Sequence, residues 1–282
     1  MTTKLNFWRY LSPSAHGGTL VFMLITPAGG FHWMPLDSSP RPRQIWKRGK
    51  ELQGKKIVSY EEGGSNGLPG SGCRTTIALT LTSSATSGDP VEVWCIAINS
   101  GGSEQLCLST GVLGAALFNP YSSIAEEFDP MVITITEDKA DENSVNIDVS
   151  GLLKNPISGC LEKGERIAGA SFIRMSKTTL PQPTMAMGIA PLAFVLCCEQ
   201  FVAVILRNEG SLIVYKFDDN KSSTNFNVIQ QKKLDRYVVD ASIRLREDDT
   251  CRGIDIIALL CDRENLKDGR IVTVSISDNY SS

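Results

Sequence analysis

Two histidines limit the chemistry this chain can perform. His32 lies between Phe31 and Trp33 in a β-like run, where an imidazole titrating near neutrality beside an indole can serve as general acid or base. His16 sits in a Ser-Pro-Ser-Ala-His-Gly-Gly loop, and neither histidine repeats an HxH or HxxxH spacing, so no zinc or iron site is expected. Arg207, Glu209 and Tyr215 gather around the Asn208-Glu209-Gly210 turn, either as a polar cluster with acid–base capacity or as a cross-strand pair. Trp33, Trp46 and Trp94 are the aromatic surfaces on which a ligand could stack.

The common catalytic signatures are missing. Gly67-Leu68-Pro69-Gly70-Ser71-Gly72 lacks both the GxGxxG spacing and a following helix, and there is no GxSxG elbow or GxxxxGK[ST] loop. The carboxylate pairs Glu126–Glu127, Asp218–Asp219 and Asp248–Asp249 fall in turns or at element ends and read as solvated surface. No cofactor is expected.

A net charge of −3 argues against a dedicated nucleic-acid binder. The basic segment from Arg41 to Lys56, with Pro40, Pro42 and Trp46, reads as a solvated connection. Eight cysteines form no CxxC pair; Cys95, Cys107 and Cys261 lie among apolar neighbours, and adjacent Cys197 and Cys198 point to opposite faces of a strand. With no basic-then-apolar leader after Met1, a reduced, cytoplasmic compartment is expected. The apolar stretch from Gly188 to Leu206 is broken by Glu199 and Gln200, which predicts two buried strands at a tight turn and no membrane span.

The elements that must position these residues repeat. An apolar β-run, a Gly or polar turn and a second β-run recur about every 50 to 60 residues: Thr19–Ile25 with Phe31–Leu36, Val91–Ile98 with Glu104–Leu108, Phe201–Leu206 with Ser211–Phe217, and Ile254–Leu260 with Arg270–Ile276. The pattern predicts an all-β protein, a single β-propeller domain over residues 1–282 with five or six blades. The last unit lacks an outer strand, and Asn6–Leu11 is placed to supply it and close the ring. One short helix is expected over Ser122–Phe128.

Ile167-Ala168-Gly169-Ala170-Ser171-Phe172, Thr75-Thr76-Ile77-Ala78-Leu79, and Trp46 followed by Gly49 resemble the blade pattern of the fungal fucose-binding lectins, which are six-bladed propellers. That family's sugar site implies an Arg on the second strand of a blade and a Glu on the third. Here the Arg positions fall on Val21, Glu92, Val202 and Asp255, and the Glu positions on Trp33, Leu106, Val214 and Thr273, so the pair is not retained. The replacements imply either a re-lined apolar cleft or plain core positions. On the first reading the chain binds an apolar small molecule as a metal-free cyclase or isomerase of fungal secondary metabolism. His32, Arg207 and Tyr215 are then the catalytic residues and Trp33, Trp46 and Trp94 the ligand-binding ones. A glycan-binding lectin that stacks sugars on the three tryptophans, and a protein-interaction propeller without a small ligand, are the alternatives.

Overall fold

The computed structural model describes residues 7–11, 21–25, 30–35, 43–47, 56–62, 75–82, 91–99, 102–118, 131–154, 161–174, 192–220, 223–248, 251–261 and 269–277. Side chains are described for 91–94, 107–118, 131–152, 163–174, 192–218, 226–246, 253–261 and 269–277. The segment expected as a helix, Ser122–Phe128, lies outside them.

These residues form five antiparallel sheets in chain order, each an up-and-down meander of the kind that makes a propeller blade. Sheet 1 holds β1 (Phe7–Leu11), β2 (Val21–Ile25), β3 (Gly30–Pro35) and β4 (Arg43–Lys47). Sheet 2 holds β5 (Lys56–Glu62), β6 (Thr75–Thr82), β7 (Val91–Asn99) and β8 (Gly102–Val112). Sheet 3 holds β9 (Gly114–Phe118), β10 (Met131–Glu137), β11 (Ser144–Lys154) and β12 (Leu161–Ile173). Sheet 4 holds β13 (Ala193–Cys198), β14 (Phe201–Leu206), β15 (Ser211–Asn220) and β16 (Ser223–Lys233), and sheet 5 holds β17 (Tyr237–Asp248), β18 (Cys251–Cys261) and β19 (Arg270–Ser277). The fold is the expected all-β propeller type, with five blades among the described residues.

The N-terminal strand has a different place from the one expected. β1 pairs with β2, Phe7 opposite Ile25 and Leu11 opposite Val21, which makes it the first strand of sheet 1. Sheet 5 has three strands among the described residues. A five-residue strand pairs with its neighbour in sequence at the least loop-closure entropy, and β2 is the strand that follows it.

The chain divides into two compact units: Met1–Thr86 with Val91–Thr110 and Leu153–Glu162, and Ser87–Pro90 with Gly111–Leu152 and Lys163–Ser282. The second unit shows how the blades stack. Every residue of β14 is buried, because this strand is covered on both faces. Val202, Val204 and Leu206 of β14 join Ile213, Tyr215 and Phe217 of β15 in a cluster with Phe118, Ile133 and Ile147 of sheet 3. Phe201, Ala203 and Ile205 point the other way, toward Val238, Ile254, Ile256 and Val274 of sheet 5. That is the period-2 alternation of a strand, with two apolar faces in place of one. Aromatic packing finishes the first cluster: Phe118 meets Phe217 edge-on at 5.3 Å, and Tyr215 stacks on Phe226 at 4.6 Å. Burying one such side chain contributes about 1.5–3 kcal/mol.

The interrupted apolar stretch behaves as its residues dictate. β13 and β14 meet at Glu199 and Gln200, and Glu199 takes a φ of 49° to make the turn. Cys197 packs toward sheet 3 and Cys198 toward sheet 5, on opposite faces as expected. Among the described residues, no helix is long and apolar enough to cross a membrane.

Candidate functional site

A cavity of about 350 Å³ opens where sheets 4 and 5 meet, lined by Lys232, Lys233, Leu234, Asp235, Arg236, Leu260, Arg270 and Val272. Its apolar floor is the buried pair Leu234 and Leu260 with half-buried Val272, and Lys232, Lys233 and Arg270 are exposed on its rim. Four cations face one carboxylate, Asp235, in a chain whose net charge is −3. Such local inversion of charge focuses a positive potential in a concave, low-dielectric site. The volume is within the usual range of ligand pockets.

The cationic residues are held in place by their backbone. Lys232 and Lys233 end β16 in register with Leu212 and Ser211, while Arg270 begins β19 opposite Leu260. The short connection from β16 to β17 is clamped to the β14–β15 turn: the Leu234 amide donates to the Gly210 carbonyl at 2.6 Å, and the Val238 amide to the Arg207 carbonyl at 3.3 Å. Gly210 has a φ of +63°, and a Cβ there would run into the Leu234 carbonyl. Only glycine meets both demands.

Arg207 completes the clamp. Its side chain is buried between the rings of Phe194 and Tyr237, 4.8 and 5.1 Å from their centroids. Nε donates to the Val238 carbonyl at 3.0 Å and Nη2 to the Val239 carbonyl at 3.1 Å. The β17–β18 register passes from Val238–Leu260 to Asp240–Leu259, so Val239 is the extra residue of a bulge, and Arg207 takes up a carbonyl that the ladder leaves over. Burial lowers the guanidinium pKa, with Tyr237 and Asp240 opposing.

A second polar group lies where sheets 3 and 4 meet. Arg174, just beyond β12, pairs with Glu209 of the β14–β15 turn at 3.0 Å and with Glu137 of β10 at 2.9 Å. Burial raises the Glu209 pKa; Arg174 pulls it down and Glu137 pushes it up. Glu209 Oε2 and Arg174 Nε have no hydrogen-bond partner among the described residues. A third group lies on sheet 5, where Asp255 accepts from Ser275 Oγ at 2.7 Å and from Arg244 Nη2 at 2.9 Å, with Arg246 at 3.6 Å. The Ser275 and Arg244 hydrogen bonds lower its pKa.

Of the residues singled out for chemistry, Arg207 and Tyr215 lie on opposite faces of sheet 4. Tyr215 is fully buried in the cluster toward sheet 3; burial raises its pKa, and its hydroxyl has no partner among the described residues. The expected cluster of Arg207, Glu209 and Tyr215 therefore resolves into three separate contacts, with the β17 carbonyls, with Arg174 and with Phe226. The reason is strand alternation: Leu206 and Tyr215 face sheet 3, and Arg207, one residue on, faces sheet 5. Val202 and Val214, two of the lectin-equivalent positions, are core residues. Trp94 of β7 is half-buried and donates through Nε1 to Glu92 at 2.8 Å. His32 and Trp33 stand on β3 opposite Leu24 and Met23, and Trp46 on β4 opposite Phe31; their side chains lie outside the described ones. Among the described residues, no group of three or more His, Cys, Asp or Glu could hold a metal ion.

The basic cavity was not among the sites expected from sequence. The Lys232-Lys233-Leu234-Asp235-Arg236 run was a readable signal, but Arg270 joins it only through the register of β18 with β19.

No family model and no curated protein matches the chain, so the resemblance to the fucose-binding lectins gains no support there. Solved structures similar to it include the WD40 domain of SCAP from fission yeast, at 8% identity and TM-score 0.38 over 92% of this chain. BBS1N in complex with ARL6DN is similar at 9% identity and TM-score 0.38, over 90% of this chain and 74% of that one. The chain spans 61% of the length of the SCAP chain it matches.

Proposed function

We propose that this chain is a protein-interaction propeller that docks an acidic partner protein in the basic cavity of sheets 4 and 5. The single observation that carries the reading is the gathering of Lys232, Lys233, Arg236 and Arg270 around one apolar-floored cavity. Lys232, Lys233 and Arg270 have no carboxylate partner among the described residues, so their charge is directed outward. Complementary charge speeds encounter and selects partners more than it adds affinity. Binding should therefore weaken steeply with salt.

Fluorescence anisotropy with a labelled oligoglutamate peptide tests this. Lys232→Glu with Lys233→Glu should weaken binding about tenfold or more, which is about 1.4 kcal/mol. Equal binding by the variant and the parent, or equal binding of an oligolysine peptide, would overturn the assignment.

The reading as a metal-free cyclase or isomerase on an apolar small molecule draws on His32, Trp33 and Trp46, and on Trp94 in sheet 2. It is the weaker proposal because Arg207 is engaged by backbone carbonyls and Tyr215 is enclosed in the core. A lectin that stacks glycans on the three tryptophans stands on the same footing. A cytoplasmic location belongs with the interaction reading and is checked by imaging a tagged chain.

A further inference from the structure

Among the described residues, sheets 1 to 4 have four strands each and sheet 5 has three. One edge of β19 is paired with β18 in an unbroken register from Arg270–Leu260 to Ser277–Gly253. Its other edge carries no strand among the described residues. An edge strand presents a row of N–H and C=O groups that can template another chain, and proteins usually blunt it with a bulge, a proline or a lysine. The sequence of β19, Arg-Ile-Val-Thr-Val-Ser-Ile-Ser, has no proline and no lysine, and no bulge interrupts its pairing. Val274 and Ile276 are buried against sheet 4, with Val272 packed beside them, so this edge is held straight by the core. On the opposite face Ile271 is 69% exposed, and its register partner Leu259 is 37% exposed.

We propose that an extended segment of the acidic partner adds to β19 as the fourth strand of sheet 5 and sets its carboxylates in the basic cavity. The inference rests on the reading of that cavity as a docking site. Arg270 and Val272 belong both to β19 and to the cavity wall, so the edge and the charge are continuous. Main-chain hydrogen bonds then supply affinity, and side-chain pockets supply specificity. The polarity of the guest follows from the meander. A strand antiparallel to β19 brings its C-terminal end beside Arg270, so the acidic residues follow the β-forming ones. Alternate side chains of the guest lie beside the exposed Ile271, which itself sits next to Leu259 of β18, and this favours Val, Ile or Thr at every second position.

The test uses the full chain and a synthetic peptide of alternating Thr and Val ended by a run of Glu. Two comb versions carry N-methyl groups on alternate amides, one comb for each edge of the guest strand. Strand addition predicts that one comb binds like the parent and the other about tenfold or more weakly. It also predicts slowed hydrogen exchange along residues 271–277. If both combs bind like the parent, or exchange slows at residues 232–236 alone, strand addition is wrong; loss of that binding in Lys232→Glu, Lys233→Glu would leave cavity docking standing. If neither the peptide nor oligoglutamate binds, docking and strand addition fall together. A dimer in sedimentation that the peptide does not dissociate would assign the edge to a second copy of this chain, and would also overturn the proposal.

Discussion

Sheet 4 meets its two neighbours through opposite arrangements of charge. Toward sheet 3 the cation is matched: Arg174 lies between Glu137 and Glu209, above a cluster filled by Phe118, Tyr215 and Phe217. Toward sheet 5 the buried cation, Arg207, is spent on backbone carbonyls, and four more cations surround a cavity with one carboxylate. The first seam pairs its charges internally, though Glu209 Oε2, Arg174 Nε and the Tyr215 hydroxyl have no hydrogen-bond partner among the described residues, and it reads as structure. The second leaves Lys232, Lys233 and Arg270 without a carboxylate partner among the described residues, which is what the docking proposal rests on. The comparison also shows why burial alone is a poor guide to a site. Glu209 and Arg207 are both buried, yet each serves the stacking of sheets.

The largest effect expected from breaking either seam is at Arg207. Arg207→Ala removes two charge-assisted hydrogen bonds and leaves the Val238 and Val239 carbonyls without this donor, at a cost of about 3 kcal/mol. Urea titration monitored by circular dichroism measures it. A cost below about 1 kcal/mol would show that the clamp is not what holds sheet 5 on sheet 4. Gly210→Ala acts on the same clamp through the backbone. A left-handed φ with a Cβ directed at a carbonyl should cost about 2 kcal/mol in the same titration.

At the other seam a substitution should stabilise. The Tyr215 hydroxyl is buried with no partner among the described residues. Removing an unsatisfied group while keeping the ring stacked on Phe226 should raise stability by about 1 kcal/mol, so Tyr215→Phe is expected to melt higher than the parent. The same variant bears on the enzyme reading, because a catalytic phenol would be lost with it.

Two carboxylates sharpen the comparison through pH, with opposite signs. The Glu209 pKa is raised in the folded chain, chiefly by burial, so the folded state holds that proton more tightly than the unfolded chain does. Stability from this group is full below its ordinary value of 4.5 and falls as pH rises through the folded pKa. The Asp255 pKa is lowered by hydrogen bonds from Ser275 and Arg244; its contribution is present above 3.8 and is lost as pH falls through the folded pKa. Glu209→Gln should flatten the decline on the alkaline side, and Asp255→Asn the decline on the acid side, in urea midpoints measured from pH 3 to 8. Slopes of the reverse sign would mean that Arg174 governs Glu209 more strongly than burial does.

How much of this was legible in the sequence divides along the same line. Hairpin turns such as Asn208-Glu209-Gly210 and the run Phe201–Leu206 announce strands through local chemistry, and five blade-like sheets follow them. The pairing of β1 is not legible locally: an unclosed last unit invites a guest strand, whereas loop-closure entropy favours the strand next in sequence, and β1 pairs with β2. The site was less legible, because its meaning depends on which face a residue takes. A shift of one position separates Arg207 from Leu206, and so separates a strut toward sheet 5 from a core contact toward sheet 3. Lys233 of sheet 4 and Arg270 of sheet 5 line one cavity because the two sheets pack together, which no local pattern encodes.

The smallest effect expected on stability is at Lys232 and Lys233, and it tests the comparison most directly. Both are exposed, and neither has an ion pair among the described residues, so their reversal to Glu removes no contact that holds sheet 5 in place. Relief of repulsion with Arg236 and Arg270 acts in the stabilising direction, while the loss of straight-chain β16 stems acts against it. The net change should stay within about 0.5 kcal/mol. Stability unchanged with oligoglutamate binding lost would separate docking from folding at this seam. A cost comparable with that of Arg207→Ala would instead make the cations structural, and the two seams would then differ in composition without differing in role.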